Sequence, residues 1–487
     1  MLFFSTVGHS LGDAVELPAV IPLTGESTVV DLHRGSIEIE IEYDAEPRAE
    51  ITDLDRGDST KGLALVSEEE GSIKIAQAYG DESIAPALAV RIVIAPGQRL
   101  EIRGSDLEVS LLGLGAGRDD EESEGSEESE GAASEAGRGA AASIENWPLI
   151  FDLDDSDVTI DSAGNLMLRG EATHYKLVDC YGTIGSMLDG GEVVFRDFFG
   201  KVDLRGDRSE FSISDSRGDF VLQVKSGSVE ITNSGGNAQV EARGASVRVD
   251  QWKGSLSITG DDYHAEIMSS GGEEATILLS GRDSNLSAES IAGTLRLVVQ
   301  GGQGSAKSIE GRTIAHATEG AIILLEKMVN AVDLRLGEGA SATVKEALAS
   351  VTVRGEEALL DVQGAGRLDL RMAVSEVTAQ GIKGRLKAVL RDSTLTADLA
   401  RGTESRSQDL ELKGDSEAKV TLASPCLVKV KQALEEVEHQ LAVSGCDLVG
   451  RENRRTTNSR ASRARSLSSS TLDVKISPTS ALEVDGK

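Results

Sequence analysis

The chain has 487 residues, and its 82 acidic and 49 basic side chains give a formal net charge of −33. This balance argues against nucleic-acid binding, which needs clustered lysine and arginine to neutralise phosphates. Aromatic residues make up only 3% of the chain, so any core must be built from small aliphatic side chains. With 53 glycines and only 8 prolines, the composition favours regular β-structure with tight glycine turns over disorder or collagen.

Residues 1–113 are predicted to form an irregular β-rich part. Apolar and polar residues alternate at 35–42 (GSIEIEIE) and within 88–104, which is the pattern of strands with one buried face. Because the spacing of these strands is uneven, this part is either a small β domain or the first irregular coils of the following structure.

The N-terminal segment up to Gly25 lacks the basic start and the unbroken apolar run of a secretory signal. We therefore expect a cytoplasmic protein, or a cell-surface or extracellular one if the true start lies elsewhere. No apolar stretch approaches the ~18 residues of a membrane-spanning helix, so no transmembrane segment is predicted.

Residues 114–145 are predicted to be an acidic low-complexity linker or insertion. The run RDDEESEGSEESEG begins at Arg118 and shows no apolar period. An unstructured spacer is the favoured interpretation, and docking of these acids to a basic partner is the alternative.

From Val202 onwards the sequence repeats every nine residues. In each repeat two apolar residues flank a central, usually polar residue, which is the spacing of a strand with one buried face. About four turn residues complete the unit. Eight successive units carry apolar residues at both positions: Val202/Leu204, Phe211/Ile213, Phe220/Leu222, Val229/Ile231, Ala238/Val240, Val247/Val249, Leu256/Ile258 and Ala265/Ile267.

A second period, twice as long as the first, is carried by glycines, which indicates that alternate corners differ. One corner is expected to need glycine for a positive φ, whereas the other tolerates substitution. The glycines of this series are Gly164, Gly182, Gly200, Gly218, Gly236, Gly254 and Gly272.

A unit of two strands fits either a parallel β-solenoid or an antiparallel meander. The solenoid is favoured because its two walls bury each other's apolar faces, whereas no long amphipathic helix is available to cover a meander. We therefore predict an all-β fold, a parallel β-solenoid with about 18 residues per coil over residues 146–426. We expect the solenoid to be right-handed.

Residues 427–446 are predicted to form a helical cap. Leu434, Val437 and Leu441 would share one helix face, and Gly445 would end the helix. Such a helix would cover the apolar coil that a solenoid exposes at its end. Residues 447–487, rich in serine and arginine, are expected to be a disordered tail. A further interpretation is self-association, in which this tail binds the acidic segment of a neighbouring copy.

No sequence motif predicts a catalytic residue, a cofactor or a metal site. Gly337, Gly339 and Ala342 satisfy G-x-G-x-x-A, but a strand pattern resumes at Val351 and leaves little room for a dinucleotide-binding helix. Residues 301–309 begin like a calcium-binding nonapeptide but lack its aspartate ligand.

Two smaller features have interpretations of their own. Trp252, Tyr263 and His264 lie at or beside neighbouring corners and could form a small exposed binding patch. The three cysteines are too few and too scattered for a disulfide framework, so we expect free thiols at Cys180, Cys426 and Cys446.

The order of segments resembles bacterial adhesin-like β-solenoid families, including head-GIN-like domains. It runs from GSIEIEI (35–41) through VRIVIAPGQRLEIRGSDLEVSLLGLGAG (90–117) to rungs such as GDFVLQVKSGSVEITNSGG. The resemblance implies a solenoid that presents an extended surface, and it supplies no catalytic residue at a matched position.

We therefore expect a non-enzymatic structural or interaction scaffold with a long polar surface and an unknown protein or glycan partner. One alternative is a bactofilin-like intracellular protein that polymerises. Another is a polysaccharide-active β-helix enzyme, which would need carboxylates or basic residues clustered on one wall.

Overall fold

A computed structural model describes residues 13–16, 19–42, 46–53, 63–69, 72–77, 87–95, 98–113, 149–400, 407–422, 426–431, 441–449, 470–477 and 479–486. Every regular element among these residues is a β-strand. The chain divides into two compact units, Met1–Glu241 and Ala242–Lys487, and each is a parallel β-solenoid.

The first unit contains strands β1 to β20, and β21 begins in it. Their bounds are β1 Asp13–Glu16, β2 Ala19–Pro22, β3 Ser27–Leu32, β4 Gly35–Ile41, β5 Arg48–Asp53, β6 Leu63–Glu69, β7 Ser72–Gln77, β8 Leu88–Ile94, β9 Arg99–Ser105, β10 Leu107–Leu112, β11 Leu149–Asp154, β12 Asp157–Asp161, β13 Gly164–Glu171, β14 His174–Val178, β15 Tyr181–Asp189, β16 Glu192–Arg196, β17 Phe199–Asp207, β18 Glu210–Ser214, β19 Arg217–Lys225, β20 Ser228–Thr232 and β21 Gly235–Arg243.

Between β9 and β20 each strand pairs in parallel with the next strand but one, so that two walls face each other. Val202 on β17 lies opposite Phe220 on β19, and Phe211 on β18 lies opposite Val229 on β20. In both pairs the partners are two of the nine-residue repeats apart in sequence. This register confirms the predicted solenoid and excludes the antiparallel meander, because hairpin partners would run in opposite directions.

The first coils of this unit do not stack in sequence order. Strand β3 lies between β7 and β9, and β4 lies between β8 and β10, all in parallel. Beyond them β5 and β6 pair antiparallel with β8 and β7, and β2 and β1 pair antiparallel with β5 and β6. The described strands of residues 1–113 are therefore irregular coils of the solenoid and not a separate sheet.

The second unit contains strands β22 to β43. Their bounds are β22 Ser246–Asp250, β23 Lys253–Asp261, β24 His264–Met268, β25 Thr276–Arg282, β26 Asn285–Glu289, β27 Thr294–Gln300, β28 Gln303–Ile309, β29 Thr313–Thr318, β30 Ile322–Met328, β31 Val332–Leu336, β32 Ser341–Glu356, β33 Leu359–Ala373, β34 Glu376–Ile382, β35 Leu386–Arg391, β36 Thr394–Leu399, β37 Ser407–Lys413, β38 Glu417–Leu422, β39 Cys426–Val430, β40 Leu441–Ser444, β41 Asp447–Val449, β42 Ser470–Ile476 and β43 Ala481–Gly486.

The described strands of this unit also form two parallel walls. Wall A contains β25, β27, β29 and β31, continues through the second halves of β32 and β33, and then includes β35 and β37. Wall B contains β24, β26, β28 and β30, continues through the first halves of β32 and β33, and then includes β34, β36 and β38.

The last coils of the second unit are interleaved. Strand β42 lies between β37 and β39, and β43 lies between β38 and β40. The predicted helical cap at 427–446 is therefore wrong at 427–430, which belong to strand β39, and at Leu441–Ser444, which is strand β40. Residues 432–440 of the predicted cap lie outside the described residues. The predicted disordered tail is wrong at β42 and β43, whose apolar side chains alternate in a strand pattern and are buried.

The core is built as the nine-residue period predicts. All sixteen apolar positions between Val202 and Ile267 are buried. At the glycine corners a side chain would collide with the neighbouring coil. A Cβ atom on Gly218 would lie 1.9 Å from the carbonyl oxygen of Gly200, and one on Gly236 would lie 2.1 Å from that of Gly218. Both glycines have positive φ, as do Gly182, Gly200 and Gly254, so this corner favours glycine in these five coils. Gly164 and Gly272, the two ends of the predicted series, show no positive φ.

Buried serines hold many of the corners between strands. The Oγ of Ser216 accepts a hydrogen bond from the backbone N–H of Phe198 at 3.1 Å and donates one to the carbonyl of Ser214 at 2.7 Å. One coil further on, Ser234 repeats this arrangement with Ser216 and Thr232. These bonds satisfy backbone groups that the corner removes from water.

Two of the three cysteines form a disulfide, so the expectation of three free thiols is wrong. Cys426 and Cys446 are bonded, with Cα atoms 4.8 Å apart. They meet because Leu427 pairs with Asp447 in the β39–β41 register, which places the preceding residues side by side. Cys180 is free and buried, and burial raises the pKa of its thiol to about 11.

Candidate functional site: a basic column on wall A

The exposed patch expected around Trp252 does not form. Trp252 and Tyr263 are buried in corners of the second unit, where the indole donates to the carbonyl of Ser255 at 3.2 Å. The Tyr263 hydroxyl donates to the carbonyl of Ser280 at 2.8 Å, and burial raises its pKa. Of the three residues, His264 alone is exposed. The predicted patch is wrong because the side chains of Trp252 and Tyr263 point into the core from their corners.

The two motifs set aside in the sequence lie within the regular coils. The G-x-G-x-x-A run leads into strand β32, and the nonapeptide-like run overlaps β28. Among the described residues no group of three or more histidine, cysteine, aspartate or glutamate side chains could hold a metal ion. No helix of the described chain is long and apolar enough to cross a membrane.

Elsewhere on the second unit, lysines on one coil face carboxylates on the next. Lys307 on β28 lies opposite Glu289 on β26, with 2.7 Å between Nζ and Oε1. Lys419 pairs with Glu483 at 2.9 Å in the same way, and Lys475 with Glu411 at 3.1 Å. Opposite charges on directly opposed strand positions stabilise a sheet, whereas like charges destabilise it.

One column on wall A departs from this arrangement because it stacks arginine on arginine, with a histidine at one end. His316 lies opposite Arg335, Arg335 opposite Arg354, and Arg354 opposite Arg371. All four side chains are exposed and stand on successive coils about 4.8 Å apart. We call these four residues the basic column. No described carboxylate forms a salt bridge with any of its three arginines.

Each carboxylate beside the column is already paired with another arginine. Asp333 pairs with Arg312. Asp369 lies 3.8 Å from Arg367, and Glu356 lies 3.6 Å from Arg391. These pairs leave the positive charge of the column uncompensated. The surroundings include one further exposed arginine, Arg296, which has no salt bridge to a described carboxylate.

The column borders an open depression of about 420 Å³ on the outer face of wall A. Its lining includes Arg296, His316, Arg335 and Arg354, together with aliphatic and hydroxyl groups such as Ile314 and Thr352. Arg371 continues the column beyond the depression. Guanidinium groups bind carboxylate, sulfate and phosphate through paired hydrogen bonds, so this arrangement can bind an anionic group at successive rungs.

The basic column was not predicted from the sequence. The steps from His316 to Arg335, Arg354 and Arg371 are unequal, so its members depart from the strict period that the glycines show elsewhere. The available signal was an arginine that directly follows an apolar–polar–apolar start in VDLRL, VTVRG and LDLRM. It was hidden by the overall acidic charge.

A scan against protein-family models found no match, and searches of curated proteins and of solved structures found none either. The function proposed below therefore rests on the residues of this chain.

Proposed function

We propose that the protein is a non-enzymatic, adhesin-like scaffold that binds an acidic macromolecule through the basic column. The observation that carries this proposal is the stack of three exposed arginines without salt bridges to described carboxylates, on a chain of net charge −33. Stacking like charges on neighbouring strands costs stability. An anionic partner would offset that cost, which makes binding the natural role of the column.

The carboxylates of this face support binding over catalysis. Hydrolysis of a glycan needs two carboxyl groups that are free to transfer protons or attack the sugar. Asp333, Asp369 and Glu356 are each engaged by an arginine, so this face presents no pair of free carboxyl groups for that chemistry.

We further propose that the protein acts in an oxidising compartment, at the cell surface or outside the cell. The Cys426–Cys446 disulfide supports this, because disulfides persist in extracellular and periplasmic proteins and are rare in the cytosol. Cells would be fractionated and their thiols alkylated before and after reduction. Two additional alkylation sites after reduction, in the surface fraction, are expected. Protein found reduced in the cytosol would contradict the proposal.

Binding through the column can be tested by retention on a carboxymethyl matrix at neutral pH and low salt. The tail contains six arginines at 451, 454, 455, 460, 463 and 465, so the test uses a full-length background in which these are glutamine. In that background the protein is expected to be retained and to elute as salt screens the contact. The further triple variant Arg335→Gln, Arg354→Gln, Arg371→Gln is expected to flow through.

A matched control removes the same charge elsewhere on the second unit. Arg248→Gln, Lys327→Gln and Lys383→Gln change three exposed cations outside wall A. This variant should be retained like its parent. If both triple variants elute together, total charge and not the column controls retention, and the proposed function is wrong.

A further inference from the structure

The distance between neighbouring coils, here called rungs, and the chemistry of the basic column restrict the class of partner that can bind. We propose that the basic column binds a linear anionic glycan, which lies extended across successive coils and places its acidic groups against successive arginines. This inference rests on the proposed function and names the ligand class of the same site.

The first argument is geometric. Successive members of the column are about 4.8 Å apart, and an extended glycan advances by a similar length per sugar residue. Acidic groups on every sugar, or on every second sugar, therefore stay in step with Arg335, Arg354 and Arg371. An extended acidic peptide presents side chains on one face about every 6.7 Å, so it falls out of step within two rungs.

The second argument is the mixture of hydrogen-bonding groups around the column. Arginines supply donors for acidic groups, whereas Asp333 and Asp369 supply acceptors on the same face. Sugar hydroxyls can donate to these carboxylates, and the Thr352 hydroxyl can bond to either kind of group. A polymer that carries only acceptors would be repelled by the two aspartates.

The third argument concerns nucleic acid, the other common polyanion. Single-stranded nucleic acid is bound through aromatic side chains on which the bases stack. The residues that line the depression are aliphatic, hydroxyl-bearing or charged apart from the imidazole of His316. Beyond that imidazole, the depression offers charge and hydrogen bonds without an aromatic stacking surface.

The size of the site predicts the length of the ligand. The four members of the column span three rungs, about 14 Å, which corresponds to about four sugar residues. Affinity should therefore rise with oligosaccharide length up to about four sugars and increase little beyond that.

The test is calorimetric titration of the full-length protein with the tail arginines replaced by glutamine. The probes are oligogalacturonates of two to eight sugars, sulfated oligosaccharides, methyl-esterified oligogalacturonate, an oligoglutamate of equal charge and a single-stranded DNA oligonucleotide. An anionic glycan is expected to bind best, and the neutral ester should not bind. The oligogalacturonate and the sulfated sugar distinguish a carboxylated from a sulfated ligand.

The column variant, with Arg335, Arg354 and Arg371 replaced by glutamine, should bind the preferred glycan at least about ten-fold more weakly. The control variant at Arg248, Lys327 and Lys383 should bind like its parent. A thermal melt of each variant establishes that it is folded. If oligoglutamate or DNA binds as tightly as the best glycan in a column-dependent way, the glycan inference is wrong and the proposed function stands. If no probe depends on the column, both are wrong.

Discussion

Arg335 lies directly opposite Arg354 on the neighbouring coil, at a register position of the kind where Lys307 faces Glu289. The two arrangements use the same fold and the same spacing but have opposite electrostatic effects. A lysine opposite a glutamate stabilises adjacent coils, whereas an arginine opposite an arginine destabilises them. The basic column therefore lowers the stability of the second unit while presenting an exposed, uncompensated positive charge.

Replacing the central arginine by an acid should raise stability and abolish the binding of anionic polymers. In Arg354→Glu the new carboxylate would face Arg335 on one side and Arg371 on the other. Two repulsions become two attractions, worth about 1 kcal/mol together, which corresponds to a rise in melting temperature of about 2 °C. Binding to anionic polymers should be lost in the same variant.

The matched control is Lys307→Glu, which places a third carboxylate between Glu289 and Glu326 on the neighbouring strands of wall B. Its melting temperature should fall by a similar amount, with binding unchanged. A melting temperature of Arg354→Glu at or below that of the wild type would show that the column is not electrostatically strained.

The glycine corners allow a prediction about side-chain volume. In Gly218→Ala the new Cβ would lie 1.9 Å from the carbonyl oxygen of Gly200, in a backbone conformation that alanine avoids. We expect the first unit to lose about 3 kcal/mol of stability, measured by denaturant unfolding. Gly272→Ala is the control, because a Cβ there would meet no atom within 4 Å outside its chain neighbours. Equal losses in both variants would contradict the corner interpretation.

One serine in the core should stabilise the protein when it is removed. The Ser186 hydroxyl is buried without a hydrogen-bond partner among the described residues, between Leu168 and Leu204 on the neighbouring coils. Ser186→Ala should add about 1 kcal/mol to the free energy of unfolding, because it removes an unsatisfied polar group. Ser216→Ala should instead destabilise by a similar amount, since it breaks two hydrogen bonds at a corner. Loss of stability in both variants would mean that Ser186 is satisfied.

The stability of the coil formed by the interleaved strands β42 and β43 should depend on pH through Glu411. Its hydrogen bond to Lys475, which joins β37 to β42, lowers its pKa below the ordinary value of 4.5. A lowered pKa in the folded state adds stability that is present above the ordinary pKa and is lost as pH falls through the folded value. Glu411→Gln should therefore cost about 0.5 kcal/mol at neutral pH and almost nothing at the acid end of the range. A cost that does not change with pH would exclude this ion pair as its source.

The disulfide should selectively stabilise the coil formed by strands β39 to β41. A bond between residues 20 apart in sequence restricts the unfolded chain by about 3 kcal/mol. Replacing Cys426 and Cys446 by serine should speed amide hydrogen exchange in β39 to β41 and leave β24 to β36 unchanged. Uniform exchange rates across the second unit before and after the change would contradict this.

The regular coils were predictable from the sequence because their information is local. A strand with one buried face shows an apolar spacing of two, and stacking repeats that spacing at the matching position of the next coil, as Val202 and Phe220 illustrate. The interleaved coil was not predictable in this way. Lys475 and Glu411 are 64 residues apart, and a short strand among serines resembles disorder when its partner is so distant.

The candidate site was hidden for a related reason. His316, Arg335, Arg354 and Arg371 form a column only after the register of four coils is known, since the number of residues per coil changes between them. The solvent-exposed residues of a solenoid are not constrained by the core, so their alignment follows from the backbone and not from the apolar period.

The interleaving of the last strands also determines the order in which they can pair during synthesis. A protein is synthesised from its amino end, and solenoid coils can stack on their predecessors as they leave the ribosome. Strands β39 and β40 emerge before β42 and β43, yet they lie outside them. Until residues 470–486 have been released, β37 and β38 keep an open edge. During that time β39 and β40 lack the strands on which they stack. Completion of this end of the solenoid is therefore a late step that follows elongation, and it is the stage at which a chaperone or a second nascent chain would find an unpaired strand.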